Sequence, residues 1–69
     1  MGETLGRRMA IARAAQKKTL QGVADEMDKA KSTISQWEND IYQPSLKDIA
    51  RLASVLNVNQ NWLAFGDKQ

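Results

Sequence analysis

Apolar residues return every three or four positions along most of the chain, which is the period of an amphipathic α-helix. The sequence contains no sustained alternation of apolar and polar residues between hairpin turns, the pattern that is typical of β-strands. Short polar segments divide the helical pattern into five stretches. We therefore predict an all-α fold, a compact bundle of five short helices around one core.

The first predicted helix runs from about Thr4 to Lys17. Leu5, Met9 and Ala12 fall on one face of this helix, and the arginines fall mostly on the others. The helix is therefore amphipathic and basic.

A second helix and a tight connection follow the first. Thr19 lies at the expected N-cap position of the second helix, where its hydroxyl can accept a hydrogen bond from a free backbone N–H. The helix behind it carries an apolar stripe of Leu20, Val23, Ala24 and Met27. Only about three residues, 28–30, separate this stripe from the next helical period, which is the connection length of a helix-turn-helix.

The third helix has two contrasting faces. Ala30, Ile34 and Trp37 recur at spacings of four and three, so we expect them to share a buried face, with Trp37 in the core. The other face carries Lys31, Ser32, Thr33, Ser35 and Gln36. A structural helix surface usually carries pairs of Glu and Lys, whereas this one offers short hydroxyls, an amide and an ammonium group.

A loop over Asn39–Gln43 leads to a fourth helix. Pro44 and Ser45, with Asp48 three residues on, form a start that is similar to a capping box. The apolar residues of this helix are Leu46, Ile49, Leu52, Ala53 and Leu56. We expect Asn57 to end it.

Asn59 is the expected N-cap of a last short helical turn. Trp62 is assigned to the core, because an aromatic residue at core spacing is more often packing than a stacking platform for bases. Leu63 and Phe65 fit the core and a partner surface equally well. We expect no order after Asp67.

The chain has 69 residues, with ten basic and eight acidic side chains and a net charge of +2. This length allows one modest core, and we expect one helix-turn-helix domain over residues 1–69 with an ordered part at about 4–66. The sequence contains no cysteine, which excludes disulfides and thiolate metal sites, and no histidine, the commonest zinc ligand and general base. Stability must therefore come from packing.

Several classes of protein do not fit this composition. No stretch approaches the roughly 18 to 20 apolar residues of a membrane span, and no secretory signal precedes the first helix, so we expect a cytoplasmic protein without a membrane partner. The chain offers no close pair of carboxylates in a plausible pocket and no phosphate-binding glycine loop. We expect no enzymatic activity, no catalytic residue, no cofactor, no metal and no small-molecule substrate.

The polar face of the third helix suits the edges of DNA bases. Glutamine can bond adenine N6 and N7 together, lysine can donate to guanine O6 and N7, and serine suits either base. The N-terminal end of such a helix enters the major groove, so Lys31, Ser32 and Gln36 are the candidates for base contact. No acidic residue, which phosphate would repel, lies between Lys29 and Trp37.

Basic residues gather in the first quarter of the chain. They are Arg7, Arg8, Arg13, Lys17 and Lys18. Such a cluster is often only a solvated surface. For Arg7, Arg8, Lys17 and Lys18 we favour contacts to phosphate, which supply much of the affinity of DNA-binding proteins.

Four separate segments of the sequence, on different predicted helices, carry a resemblance to a known family. They are VADEM at 23–27, STISQWE at 32–38, PSL at 44–46 and the Trp62-Leu63 pair. Together, over about residues 5 to 66, they resemble the lambda-type phage repressor and Cro family of helix-turn-helix domains.

This resemblance implies a role for each matching residue. The third helix becomes the recognition helix, in which Lys31, Ser32 and Gln36 match the base-contacting positions. Thr33 matches a contact to the DNA backbone, to which we also assign Ser35. Arg13 and Glu38 match a structural ion pair.

The sequence also departs from the family pattern. Asp28 replaces the usual turn glycine, so the turn either lacks a left-handed residue or uses Asp28 in that role. Leu20 replaces a common glutamine, and its phosphate contact is either missing or made by Gln21. The loop after the recognition helix carries no lysine or arginine.

The leading hypothesis is a sequence-specific transcriptional regulator, a phage- or prophage-type repressor in a bacterial or phage-infected cell. It would bind double-stranded operator DNA as a homodimer, because operator palindromes match the two-fold symmetry of the protein. The alternative is a protein-interaction module of the same fold, such as an antitoxin or co-regulator. A complete Cro-like protein and the N-terminal part of a longer repressor both fit the sequence.

Overall fold

The computed structural model describes residues 3–66, and these residues form five α-helices. The helices are α1 (Leu5–Ala15), α2 (Leu20–Met27), α3 (Lys31–Glu38), α4 (Leu46–Leu56) and α5 (Gln60–Phe65). This range contains no β-strand, and the predicted all-α fold is confirmed. The expectation of disorder after Asp67 concerns residues outside the described range.

Side chains at the predicted positions cap the helices. Thr19 Oγ1 accepts from the N–H of Gly22 at 2.9 Å, and Ser45 Oγ accepts from the N–H of Asp48 at 3.1 Å. Helix α1 ends two residues earlier than predicted, because Lys17 adopts a left-handed conformation with φ of 58°. Each cap satisfies a backbone group that a helix end leaves without a partner.

The tight connection between α2 and α3 uses Asp28 as its left-handed residue. Asp28 has φ of 59° and ψ of 44°, a conformation that Asp tolerates better than most side chains. The N–H of Lys29 then reaches back to the carbonyl of Ala24 at 2.9 Å. Asp28 therefore fills the position for which glycine is usual, and α2 packs directly against α3 as a helix-turn-helix requires.

All five helices contribute to one apolar core. Its buried members are Met9, Ala12, Val23, Ala24, Met27, Ile34, Trp37, Ile49, Leu52, Ala53, Leu56 and Leu63. Trp62 is half-buried and packs against this core. Leu63 is fully buried, whereas Phe65 is 65% exposed. The prediction for Ala30 was wrong, because this residue is the exposed N-cap of α3 and precedes the helical face that Ile34 and Trp37 share.

Candidate nucleic-acid interface

Helix α3 is held by its apolar face and presents its polar face outward. Ile34 and Trp37 are buried in the core, which fixes the rotation of the helix about its own axis. Lys31 and Ser32 in the first turn are exposed, and Gln36 one turn later is half-buried. Among residues 3–66, no hydrogen bond or ion pair engages the side chains of these three residues. Their donors and acceptors are thus available to a ligand.

Thr33 and Ser35 complete the outward polar face of α3, and both are half-buried. The Asn39 amide donates to the backbone carbonyl of Ser35 at 2.8 Å and lies 3.4 Å from its hydroxyl. Ser35 therefore takes part in ending the helix, while the hydroxyl of Thr33 makes no hydrogen bond within the described residues.

Arg13 and Glu38 lock the end of α3 to α1. Arg13 Nε donates to Glu38 Oε2 at 2.6 Å, and Nη2 donates to Oε1 at 3.1 Å, which is a bidentate pair. Arg13 Nη1 also donates to the carbonyl of Lys18 at 2.9 Å. The hydrogen bond to Glu38 raises the pKa of Arg13, and burial opposes this effect in part. Arg13 is thus occupied within the protein.

The basic residues of the first quarter have different surroundings in the structure. Arg8 is buried, and it donates from Nε to the carbonyl of Leu63 and from Nη2 to the carbonyl of Ala64, both at 3.0 Å. The prediction that Arg8 contacts phosphate was wrong. Its physical role is to satisfy the last carbonyls of the short helix α5, which have no partner in the helix itself. Arg7 and Lys17 are exposed, as a phosphate contact would require.

The candidates beside α2 already have partners on the protein. Lys18 Nζ lies 2.6 Å from Glu26 Oε2, and Gln21 Nε2 donates to Asp25 Oδ1 at 2.9 Å. Both contacts are at the surface, where such pairs contribute only about 0 to 1 kcal/mol. Lys18 and Gln21 can therefore exchange these partners for phosphate at little cost.

Two residues that the sequence did not single out, Gly6 and Asp40, bring the start of α1 against the end of α3. A Cβ atom on Gly6 would lie 2.4 Å from the carbonyl oxygen of Trp37 and 2.6 Å from that of Glu38. Asp40 accepts from Thr4 Oγ1 at 2.6 Å and from the N–H of Gly6 at 3.1 Å. The N-terminal turn of α1 thus lies directly on the carboxyl end of α3. A glycine inside a helical pattern was the one sequence signal for this close approach.

The described part of the chain was also compared with the features of metal sites, membrane-spanning helices and ligand grooves. No cluster of three or more metal-ligating side chains occurs in residues 3–66. No helix among these residues is long and apolar enough to cross a bilayer. An open groove of about 600 Å³ lies between α1, α4 and α5, with Leu46 and Phe65 on its walls.

Comparison with known sequences matches the chain to a family model and to a curated relative. A family model described as helix-turn-helix matches residues 9–63. The HTH-type transcriptional regulator DicA of Escherichia coli K12 is 31% identical over 65 residues, which is 94% of this chain and 48% of DicA. The chain therefore spans about half the length of this curated relative.

Comparison with solved structures points to the same fold. The P22 c2 repressor, solved with a synthetic operator, matches with a TM-score of 0.90 and 23% identity over 96% of this chain and 100% of that one. SinR, solved in complex with DNA, matches with a TM-score of 0.80 and 26% identity over 87% of this chain and 97% of that one. The N-terminal DNA-binding domain of SinR from Bacillus subtilis gives 0.78 and 27%, over 86% of this chain and 87% of that domain.

Proposed function

Since the chain belongs to the helix-turn-helix family, we propose that it is a DNA-binding transcriptional regulator of the repressor type, with α3 as its recognition helix. DicA supports this proposal as a transcriptional regulator, and SinR supports it as a DNA-bound relative of similar fold. The observation that carries the proposal is the polar face of α3. Within residues 3–66, the side chains of Lys31, Ser32 and Gln36 make no hydrogen bond or ion pair, while Ile34 and Trp37 anchor the opposite face. The protein would act where bacterial DNA lies, in the cytoplasm.

Three side chains of α3 would read bases in the major groove. Lys31 and Ser32 stand in the first turn, the end of the helix that enters the groove. Gln36 follows one turn later, and its amide can bond adenine N6 and N7 together. The three residues would therefore contact successive base pairs of one half-site.

Contacts to phosphate would flank this reading helix. Arg7, Lys17 and Lys18 supply positive charge, and Gln21 can donate through its amide once it releases Asp25. On α3 itself, Thr33 and Ser35 offer hydroxyl groups beside the base-reading side chains. These contacts would fix the position of α3 on the duplex without reading its sequence.

We further propose that the protein binds DNA as a homodimer. A single module of this size buries only about 600 to 1,000 Å² on DNA, too little for tight and specific binding alone. Leu46 and Phe65, 76% and 65% exposed, stand on the walls of one groove and could meet their copies across a two-fold axis. The half-sites would then lie about 34 to 36 Å apart.

Selection of bound sequences from a random duplex pool tests this function directly. The proposal predicts a palindromic consensus, which would report DNA binding, specificity and symmetry at once. A salt series should show steep loss of affinity, because each neutralised phosphate releases counterions. Failure to retain any duplex at low salt would contradict DNA binding and favour the protein-interaction module.

A further inference from the structure

Helix α1 joins the proposed recognition helix to α5. Helix α3 packs mainly against α1 and α2, whereas α5 packs mainly against α1 and α4. Among residues 3–66, α1 is therefore the helix that packs extensively against both. The placement of α5 relative to α3 thus depends on how these two helices are attached to α1.

Both attachments lie within one turn of α1. Asp40, which follows α3, accepts from Thr4 Oγ1 at 2.6 Å and from the N–H of Gly6 at 3.1 Å. Arg8, two residues further along α1, donates to two successive carbonyls of α5, both at 3.0 Å. A helical stretch of this length spans only about 6 Å along its axis. The ends of α3 and α5 are therefore held by one short segment, residues 4–8.

Arg8 fixes both the distance and the direction of the end of α5. Its side chain is only 7% exposed, and its Nε and Nη2 donate to the carbonyls of Leu63 and Ala64. Hydrogen bonds from a charged guanidinium are stronger than neutral ones, and its planar fork restricts their direction as well as their length. The carboxylate of Glu3 lies 3.9 Å from Nη1, outside hydrogen-bond distance. Within the described residues, the backbone of α5 is therefore the main partner of this buried charge.

Arg8 also lines the groove that is proposed to form the dimer surface. The walls of this groove carry Leu46 and Phe65. Phe65 directly follows Ala64, whose carbonyl accepts from Arg8, so the placement of the exposed Phe65 ring depends on this hydrogen bond. In a two-fold dimer, any rotation of α5 relative to α3 occurs in both protomers. It therefore changes the distance and the angle between the two recognition helices.

We propose that Arg8 is a positioning residue that sets which half-site spacing the dimer accepts, because it fixes α5 relative to α3 through residues 4–8. The inference rests on the proposed function, including the homodimer, and it gives Arg8 no contact with DNA. One base pair changes the separation of two half-sites by about 3.4 Å and their relative rotation by about 35°. Binding groups must be held within about 10 to 20° of their productive geometry. A dimer with a rigid connection between α3 and α5 therefore rejects a change of one base pair.

The experiment compares the affinity of the protein for two palindromes. One has the half-site spacing of the selected consensus, and the other has one base pair added at its centre. The parent should prefer the first at least about tenfold, or by about 1.4 kcal/mol. Arg8→Met, which keeps a side chain of similar length without its donors, should retain a preference of only about threefold.

Two further variants separate positioning from a general loss of stability. Asp40→Gly breaks the attachment on the side of α3 and suits the left-handed backbone there, with φ of 60°. It should relax the spacing preference as Arg8→Met does, and it carries the test alone if Arg8→Met does not fold. Val23→Ala is the matched control, because it removes core packing from α2 and leaves both attachments in place. This control should weaken both complexes by the same factor.

Each contrary result points to a different error. If Arg8→Met or Asp40→Gly, folded by circular dichroism, keeps the spacing preference of the parent, the inference is wrong and the proposed function stands. A relaxed preference in Val23→Ala would also overturn the inference, because any loosening of the core would then suffice. If the parent binds both spacings equally well, the homodimer and the role of Arg8 fail together. If the parent binds no duplex, the proposed function itself fails.

Discussion

Substitution of Gly6 by alanine should destabilise this protein, although alanine is the better helix former. The new methyl group would lie 2.4 Å from the Trp37 carbonyl oxygen and 2.6 Å from that of Glu38, where ordinary contacts are 3.4–4 Å. Both neighbours are backbone atoms, so α1 must move away from α3 by about 1 Å. Overpacking of this kind lowers stability by about 1 to 3 kcal/mol, and the better helix preference of alanine offsets about 0.5 to 1 kcal/mol of this. The net loss of stability should therefore reach up to about 2.5 kcal/mol.

Thermal and urea unfolding of Gly6→Ala would measure this loss. Each kcal/mol lowers the midpoint of a 60- to 100-residue domain by about 4 to 8 °C. Gly22→Ala is the matched control, because its new Cβ would meet one side-chain atom at 3.2 Å, the hydroxyl of Thr19 that caps α2, and no backbone oxygen. The control should therefore lose less stability than Gly6→Ala. If Gly6→Ala proved as stable as Gly22→Ala, the close approach of α1 and α3 would be refuted.

Three further substitutions test the packing around the site. Trp37→Ala should lower the free energy of unfolding by roughly 3 to 5 kcal/mol, which is the whole stability that so small a core usually supplies. Circular dichroism should therefore show a largely unfolded chain. A cooperative melt near that of the parent would exclude Trp37 from the core. Arg13→Ala leaves the Glu38 carboxylate, whose side chain is only 10% exposed, without its ion-pair partner. Stability should fall by up to about 3 kcal/mol, while the folded fraction keeps its operator affinity. A loss of affinity at unchanged stability would make Arg13 a DNA contact instead. Arg8→Met removes both donors to the end of α5, so amide exchange at residues 62–66 should accelerate first, whereas uniform exchange along the chain would contradict this local role.

Local signals in the sequence were sufficient for most of the fold. Thr19, Ser45 and Asn59 each precede an apolar helical period, and a short polar side chain at that position satisfies a backbone N–H whatever the rest of the chain does. The stripe of α2 and the Ile34 and Trp37 pair of α3 likewise predicted which faces are buried. These features depend on neighbours within one or two helical turns.

Features that depend on distant parts of the chain were missed. Arg8 stands among other basic residues, and only the position of α5, more than 50 residues away, makes it a buried donor instead of a phosphate contact. Asp40 looks like an ordinary loop residue until α1 places Thr4 and Gly6 beside it. The spacing of apolar residues could not reveal these contacts, because it describes the faces of one helix and not the helix packed against it.

The error at Ala30 was local instead. Ala30 fits the spacing of a buried face but lies one residue before α3 begins.

The central claim, that α3 reads base edges, is tested most directly through Gln36. Sequences bound by the parent protein and by Gln36→Ala would be selected from the same random duplex pool. We predict that the preference changes at one position of each half-site, by about 1 to 3 kcal/mol, while thermal unfolding stays nearly unchanged. An equal loss of affinity for every sequence, with the consensus preserved, would contradict direct reading by α3.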